Sequence, residues 1–170
     1  MDLNVPVYNR DSGFQFIWEN DYDIEFNISN YLPNMVILSA NAAGFISLAR
    51  HLLELSQRQV PEHVHIHLDQ YNSLNDGSME LIIEKSIKIE DEIDILDDNG
   101  RCIADKIGAQ IKIIPDMNHV ILNVNKYAIE FIAKCMIDLA MGGPKKYTLY
   151  KCDKTLKVCN YRMDLILKTK

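Results

Sequence analysis

Histidine alternates with apolar residues in one short segment of this chain. Residues 63–69 read His-Val-His-Ile-His-Leu-Asp. Strict alternation is typical of a half-buried β-strand, in which every second side chain points to the same face. We therefore expect His63, His65, His67 and Asp69 to share one face. Imidazole and carboxylate groups can ligate a metal ion, and they can also act as general acids or bases.

The geometry of a single strand disfavours a metal site here. Side chains two residues apart stand roughly 6–7 Å apart along a strand. His63, His65 and His67 would therefore need converging rotamers and further ligands from another strand. Acid–base catalysis lacks a nucleophile, because no recognisable turn motif places a serine or cysteine nearby. We predict no metal, no cofactor and no enzymatic activity. A metal-dependent enzyme that uses the three histidines is retained as an alternative.

An internal repeat organises the rest of the sequence. Residues 36–41 (Val-Ile-Leu-Ser-Ala-Asn) correspond to residues 120–125 (Val-Ile-Leu-Asn-Val-Asn) at an offset of 84. The same offset relates residues 79–83 (Met-Glu-Leu-Ile-Ile) to residues 163–167 (Met-Asp-Leu-Ile-Leu). A constant offset over two separated blocks indicates an internal duplication.

Each copy is predicted to combine several strands with one helix. Residues 14–18 (Phe-Gln-Phe-Ile-Trp) are strand-like, and residues 24–28 alternate between apolar and polar side chains. We predict an α+β fold of two tandem copies of a βββαββ-like unit. Each copy would be a mainly antiparallel sheet with one helix packed on it. The first copy would cover residues 1–86, and the second, diverged copy residues 87–170.

The predicted helices begin after Asn41 and Asn125. Both are suitable N-cap residues, because an asparagine side-chain oxygen can accept a hydrogen bond from a free amide of the first turn. The apolar stripe of the first helix is expected to face the sheet. The opposite, polar side of that helix carries Ser47, Arg50, Glu54 and Gln57.

Charge is distributed unevenly between the two halves. Residues 1–85 contain 4 Lys/Arg and 12 Asp/Glu (net −8), and residues 86–170 contain 14 and 12 (net +2), which together give −6. An acidic module repels nucleic acid and attracts basic partners. No apolar run approaches the roughly 20 residues of a membrane helix, and the acidic N-terminus shows no secretory signal. We expect a cytoplasmic protein with no nucleic-acid or membrane partner.

Four segments of the first copy carry a family resemblance. They read Leu-Ala-Arg-His-Leu-Leu-Glu-Leu at residues 48–55, Val-Pro at 60–61, His-Ile-His-Leu-Asp at 65–69 and Leu-Asn-Asp-Gly-Ser-Met-Glu-Leu at 74–81. Over about residues 33–85 the chain resembles immunity protein 32, a family of predicted immunity proteins of bacterial polymorphic toxin systems. The resemblance implies a small α+β protein that binds and neutralises a cognate toxin domain. The second copy lacks the His-x-His-Leu-Asp and Asp-Gly-Ser segments.

We predict that the toxin contacts the first copy. The candidate face carries His65, His67 and Asp69, with Asp76 and Glu80 nearby. Its acidic surroundings favour a basic toxin, such as a nuclease, because charge complementarity speeds association. In one alternative, the helices or the second copy make the contact. In another, the chain is a non-catalytic interaction or scaffold module without a toxin partner. A homodimer is also left open.

Overall fold

The computed structural model describes residues 3–29, 35–114, 118–150 and 164–170. Within these residues the chain forms nine strands and two helices. In chain order they are β1 (Ile24–Ile28), β2 (Met35–Ala40), α1 (Ala42–Ser56), β3 (His65–Leu68), β4 (Glu80–Lys85), β5 (Glu92–Leu96), β6 (Cys102–Ile114), β7 (His119–Val124), α2 (Lys126–Ala140), β8 (Lys146–Tyr150) and β9 (Asp164–Thr169). Neither of these helices is long and apolar enough to cross a membrane.

The nine strands form one curled sheet, in the order β1-β2-β9-β8-β5-β6-β7-β4-β3. The β2–β9 and β4–β7 pairs are parallel, and the other neighbours are antiparallel. The predicted α+β class is confirmed. The two halves do not form separate sheets. One sheet runs through both, because the 13 residues of β6 pair with β5 through their first part and with β7 through their second.

Both predicted strand–helix segments are present. β2 leads into α1 and β7 leads into α2, and each helix has 15 residues. The Oδ1 of Asn41 accepts a hydrogen bond from Gly44 N at 2.8 Å, and that of Asn125 accepts one from Ala128 N at 2.8 Å. The two asparagines are therefore N-caps, as predicted. The duplication itself stays a prediction, and Met163 of its last matching block lies outside the described residues.

Residues 14–18 do not form the predicted strand. They belong to an extended N-terminal arm, defined here as residues 3–19, whose backbone binds side chains of α1 instead of a neighbouring strand. Arg50 donates to the carbonyls of Leu3 (2.9 Å) and Ile17 (3.3 Å). The strand prediction fails because these backbone groups form hydrogen bonds with side chains of the helix. They therefore do not need the partners that a neighbouring strand would otherwise supply.

The polar side of α1 is covered by this arm and does not face solvent. Three further hydrogen bonds join the helix and the arm: Glu19 N to Ser47 Oγ, Gln15 N to Glu54 Oε1, and Gln57 Nε2 to Pro6 O. As a result Ser47, Arg50 and Glu54 are buried. The sequence predicted that these polar residues lie on the side of α1 away from the sheet. They do, and the arm packs on that side.

The end of α1 is held by β4. The Lys85 amine donates to the carbonyls of Gln57 (2.7 Å) and Val60 (2.9 Å). A cation suits this position, because the C-terminal end of a helix carries partial negative charge and Gln57 directly follows α1. Burial lowers the pKa of Lys85, since it removes water from the ammonium group.

The two outer strands of the sheet differ in how they are covered. Asn75 N and Met79 N donate to the carbonyls of Ile24 and Phe26. Residues 75–79, which precede β4, therefore cover the open side of β1. β3 pairs with β4 on one side, and no described strand pairs with its other side.

We predict that replacing Arg50 with alanine releases the arm. The variant leaves two backbone carbonyls and the Glu19 carboxylate without their donor. The free energy of unfolding should fall by about 2–4 kcal/mol, because hydrogen bonds to charged groups contribute most when buried. Urea unfolding would measure the loss, and limited proteolysis should show cleavage within residues 3–19.

Arg58→Ala is the matched control, since Arg58 is exposed just beyond the same helix. Its effect should stay within about 0.5 kcal/mol. Equal stability of the two variants, with equal resistance of the arm to protease, would show that Arg50 does not hold the arm.

Candidate functional site

The alternating segment forms a shorter strand than its pattern suggested. β3 includes His65 and His67, whose side chains are exposed, whereas Ile66 and Leu68 are buried. His63 precedes the strand with a φ of 63°. Its N donates to Lys85 O, and Lys85 N donates to the carbonyl of the next residue, Val64. Two residues opposite one constitute a β-bulge, so His63 lies outside the regular alternation of the strand.

Each of two histidines is paired with its own glutamate across β3 and β4. His67 Nε2 lies 3.2 Å from Glu80 Oε2, and His63 Nδ1 lies 3.0 Å from Glu84 Oε1. The hydrogen bond to Glu84 raises the pKa of His63. Among the described residues, no group of three or more His, Cys, Asp or Glu side chains is arranged to hold a metal ion. Each histidine thus contacts a different glutamate, and the two pairs do not converge on one point.

Asp69 has a structural task in the turn that follows β3. Its Oδ1 accepts hydrogen bonds from Tyr71 N (2.8 Å) and Asn72 N (3.0 Å), as in an Asx-turn. Asp76, in contrast, is exposed in the loop before β4. Of the predicted contact residues, the structure therefore brings His65, His67 and Glu80 together on β3 and β4. Asp69 lies at the end of that strand with its carboxylate already engaged.

A cavity of about 240 Å³ opens beside β3. Its lining residues are Phe16, Trp18, His67 and Asn72. His67 comes from the strand and Asn72 from the turn, where its Nδ2 donates to His67 O at 3.3 Å. The two aromatic residues come from the N-terminal arm. The sequence prediction missed both rings, because it assigned residues 14–18 to a strand of the sheet.

A buried imidazole lies beneath this aromatic wall. The ring of His51 makes edge contacts with the rings of Phe16 (centroids 5.1 Å apart) and Trp18 (4.7 Å). Neither ring nitrogen has a hydrogen-bond partner among the described residues. Burial, with a smaller contribution from the Arg50 charge, lowers the pKa of His51 to about 4. Burial also raises the pKa of Glu54, one turn away on α1. The wall therefore rests on a neutral imidazole.

A second cavity, of about 290 Å³, is polar. Its lining includes Glu84, Gln110 and Asn123. Glu84 is engaged by His63, and the side chains of Gln110 and Asn123 hydrogen-bond each other at 3.3 Å. The aromatic cavity is the better candidate for recognition, because it combines an apolar wall with residues of β3 and its turn.

Comparison with known protein families gives one match. The sequence model described as Immunity protein 32 matches residues 36–86, which are 51 of the 170 residues. The match runs from β2 through β4 and so includes α1, both histidines of β3 and the turn at Asp69. It confirms the resemblance found from the sequence. Among curated proteins and among solved structures, nothing matches the chain.

We predict a pH-dependent loss of stability that originates at His51. Its folded-state pKa of about 4 lies below the ordinary value of 6.5. Between these two values the unfolded chain binds a proton that the folded chain does not. Stability should therefore fall as pH drops from 6.5 towards 4, by up to about 3 kcal/mol for this group. Glu54, with its raised pKa, acts in the opposite direction as pH falls.

The His51→Phe variant isolates the histidine contribution, because it keeps an aromatic ring and leaves Glu54 in place. Urea unfolding at pH 7 and pH 4.5 should show a smaller loss for the variant than for the natural chain. His65→Ala, a change at an exposed histidine on β3, should keep the natural difference. If His51→Phe loses as much stability as the natural chain, His51 is not the origin.

Proposed function

We propose that this chain, whose residues 36–86 match the immunity protein 32 family, is an immunity protein. It binds a cognate bacterial toxin domain in the cytoplasm of the producing cell and blocks its activity. The family match is the observation that carries the proposal. The chemistry of the matched segment supports it, because the exposed polar groups there are arranged for contact with a partner.

Binding, and not catalysis, fits the state of these groups. His67 is hydrogen-bonded to Glu80, and Asp69 is hydrogen-bonded to the backbone of its own turn. A general base needs a substrate proton within reach and a nucleophile or water to activate. His63 and His67 instead lie beside glutamates, and His51 lies beside two aromatic rings. An inhibitor requires only a surface of the right shape and charge, and the exposed side chains of β3 stand on a strand whose opposite face is buried.

The proposed contact surface consists of His65, His67 and Glu80 on the strands, with Asp69 and Asp76 in the adjoining loop. It lies in the half of the chain that has a net charge of −8. A basic toxin domain, such as a nuclease, would be attracted to it over a distance of about one Debye length, roughly 8–10 Å at moderate salt. Its association rate should therefore fall as salt rises.

We also propose that the two halves, residues 1–86 and 87–170, descend from one duplicated unit. The strand pairing supports this. In the parallel pair of β2 and β9, Met35 lies opposite Asp164. In the pair of β7 and β4, His119 lies opposite Glu80. Adding 84 to Met35 gives 119, and subtracting 84 from Asp164 gives 80. Each half would thus pair its central strand with the last strand of the other half, which interlocks the two.

We predict that reversing Asp76 and Glu80 to lysine weakens toxin binding at least about tenfold. Both side chains are partly or fully exposed, so the fold should tolerate the change. Each exposed pair contributes about 0.2–1 kcal/mol, and each reversal also adds repulsion. The measurement is a calorimetric titration with a candidate toxin domain, sought among the neighbouring genes, at two salt concentrations.

The matched control is Glu92→Lys with Asp105→Lys, two exposed carboxylates of the second half. This variant has the same net charge and should bind almost normally. Equal weakening by both double variants would mean that only net charge matters and that the contact surface is misplaced. Failure of the natural chain to bind the toxin, or to protect cells that express it, would refute the proposed function.

A further inference from the structure

The aromatic cavity beside β3 has the size of a side-chain pocket. Its volume of about 240 Å³ is below the roughly 300–1,000 Å³ of sites for small-molecule ligands. Phe16, which is 46 % exposed, and Trp18 form an apolar wall, while His67 and Asn72 form a polar one. A pocket with one apolar and one polar wall suits a long side chain with an apolar stem and a polar head.

The charges around the cavity are negative. Glu80 contacts His67, and Asp69 contacts the backbone N–H of Asn72, so two lining residues each touch a carboxylate. Arg50, which lies below the arm, is engaged by Glu19 and two backbone carbonyls. None of the described lining residues is a lysine or an arginine. A cationic head entering the cavity would therefore meet no described cationic side chain in the lining, and it would find the Glu80 carboxylate beside His67.

We infer that this cavity receives an arginine side chain of the partner protein. The planar guanidinium group stacks on aromatic rings and is less strongly hydrated than an ammonium group, so it loses less when it leaves water. Its methylene stem would lie against Phe16 and Trp18, and its N–H groups would point to the carboxylate of Glu80. The inference rests on the proposed function, since it names the chemistry by which a basic toxin is recognised.

An anchor of this kind would give the arm a role in binding. Arginine and aromatic residues dominate binding energies when they fill a pocket at the centre of an interface. Here the strand and the turn come from the family-matched segment, whereas the aromatic wall comes from residues 3–19, outside the match. The pocket is complete only because the arm crosses α1 and ends beside β3.

The cavity can be probed directly, because Trp18 is the only tryptophan of the chain. The probes are three capped tripeptides, acetyl-Gly-Arg-Gly-amide, acetyl-Gly-Lys-Gly-amide and acetyl-Gly-Leu-Gly-amide, titrated while tryptophan emission is recorded. We expect a saturable change with the arginine peptide, a weaker one with the lysine peptide and the weakest with the leucine peptide. The arginine response should weaken as salt is added.

Two variants test the apolar wall and the carboxylate beside His67. Phe16→Ala should weaken binding of the arginine peptide at least about threefold, in line with the loss of a cation–π contact. Glu80→Gln keeps the shape of the side chain. It should weaken binding of the arginine peptide but not binding of the leucine peptide. Tyr127→Ala is the matched control, because Tyr127 is an aromatic residue with 59 % exposure on α2. It should leave all three titrations unchanged.

Equal or tighter binding of the leucine peptide would overturn the inference, and so would the absence of a saturable response to arginine. The toxin titration separates this result from the proposed function. If the toxin binds the natural chain and Phe16→Ala equally well, the pocket is wrong and the immunity function stands. If the arginine peptide saturates the cavity but no toxin binds, the pocket stands and the immunity function fails.

Discussion

The polar side of α1 imposes the constraint on which the rest of this structure depends. A helix that packs against a sheet and a second helix can leave one face to water. Here that face carries Arg50, which is only 8 % exposed. Its guanidinium binds Glu19 and the carbonyls of Leu3 and Ile17. A buried charge is tolerated only when its donors are satisfied. The arm supplies those partners, so helix and arm stabilise each other.

This arrangement also builds the candidate site. The arm that satisfies Arg50 continues as Phe16 and Trp18, whose rings cover His51 and form one wall of the cavity beside β3. His51 is neutral there because burial and the neighbouring guanidinium both disfavour a second positive charge. The same contacts therefore form the apolar wall of the candidate site, keep the imidazole beneath it uncharged and are expected to make the stability of the fold depend on pH.

Rigidity comes from the way the halves are joined. β2 is paired with β9 and β7 with β4, so each central strand is held by a strand from the opposite half of the chain. Lys85, at the end of β4, additionally binds the carbonyls of Gln57 and Val60, which follow α1. Of the two strands under the proposed contact surface, β4 is thus paired on both sides, whereas β3 is paired with β4 alone among the described strands. A fixed surface loses little conformational entropy when a partner binds.

The sequence by itself determined the α+β class, both strand–helix segments and their asparagine caps, because apolar periodicity and capping are local properties. It also determined which side chains of residues 65–68 face the core and which are exposed. Only the tertiary structure decided that the strands form one sheet, that a bulge at His63 interrupts the alternation, and that residues 14–18 cross a helix. Those outcomes depend on which distant groups satisfy each backbone N–H and C=O, and local patterns do not specify distant partners. The cavity likewise follows from the tertiary structure alone, because its lining comes from two segments about 50 residues apart in the chain (16–18 and 67–72).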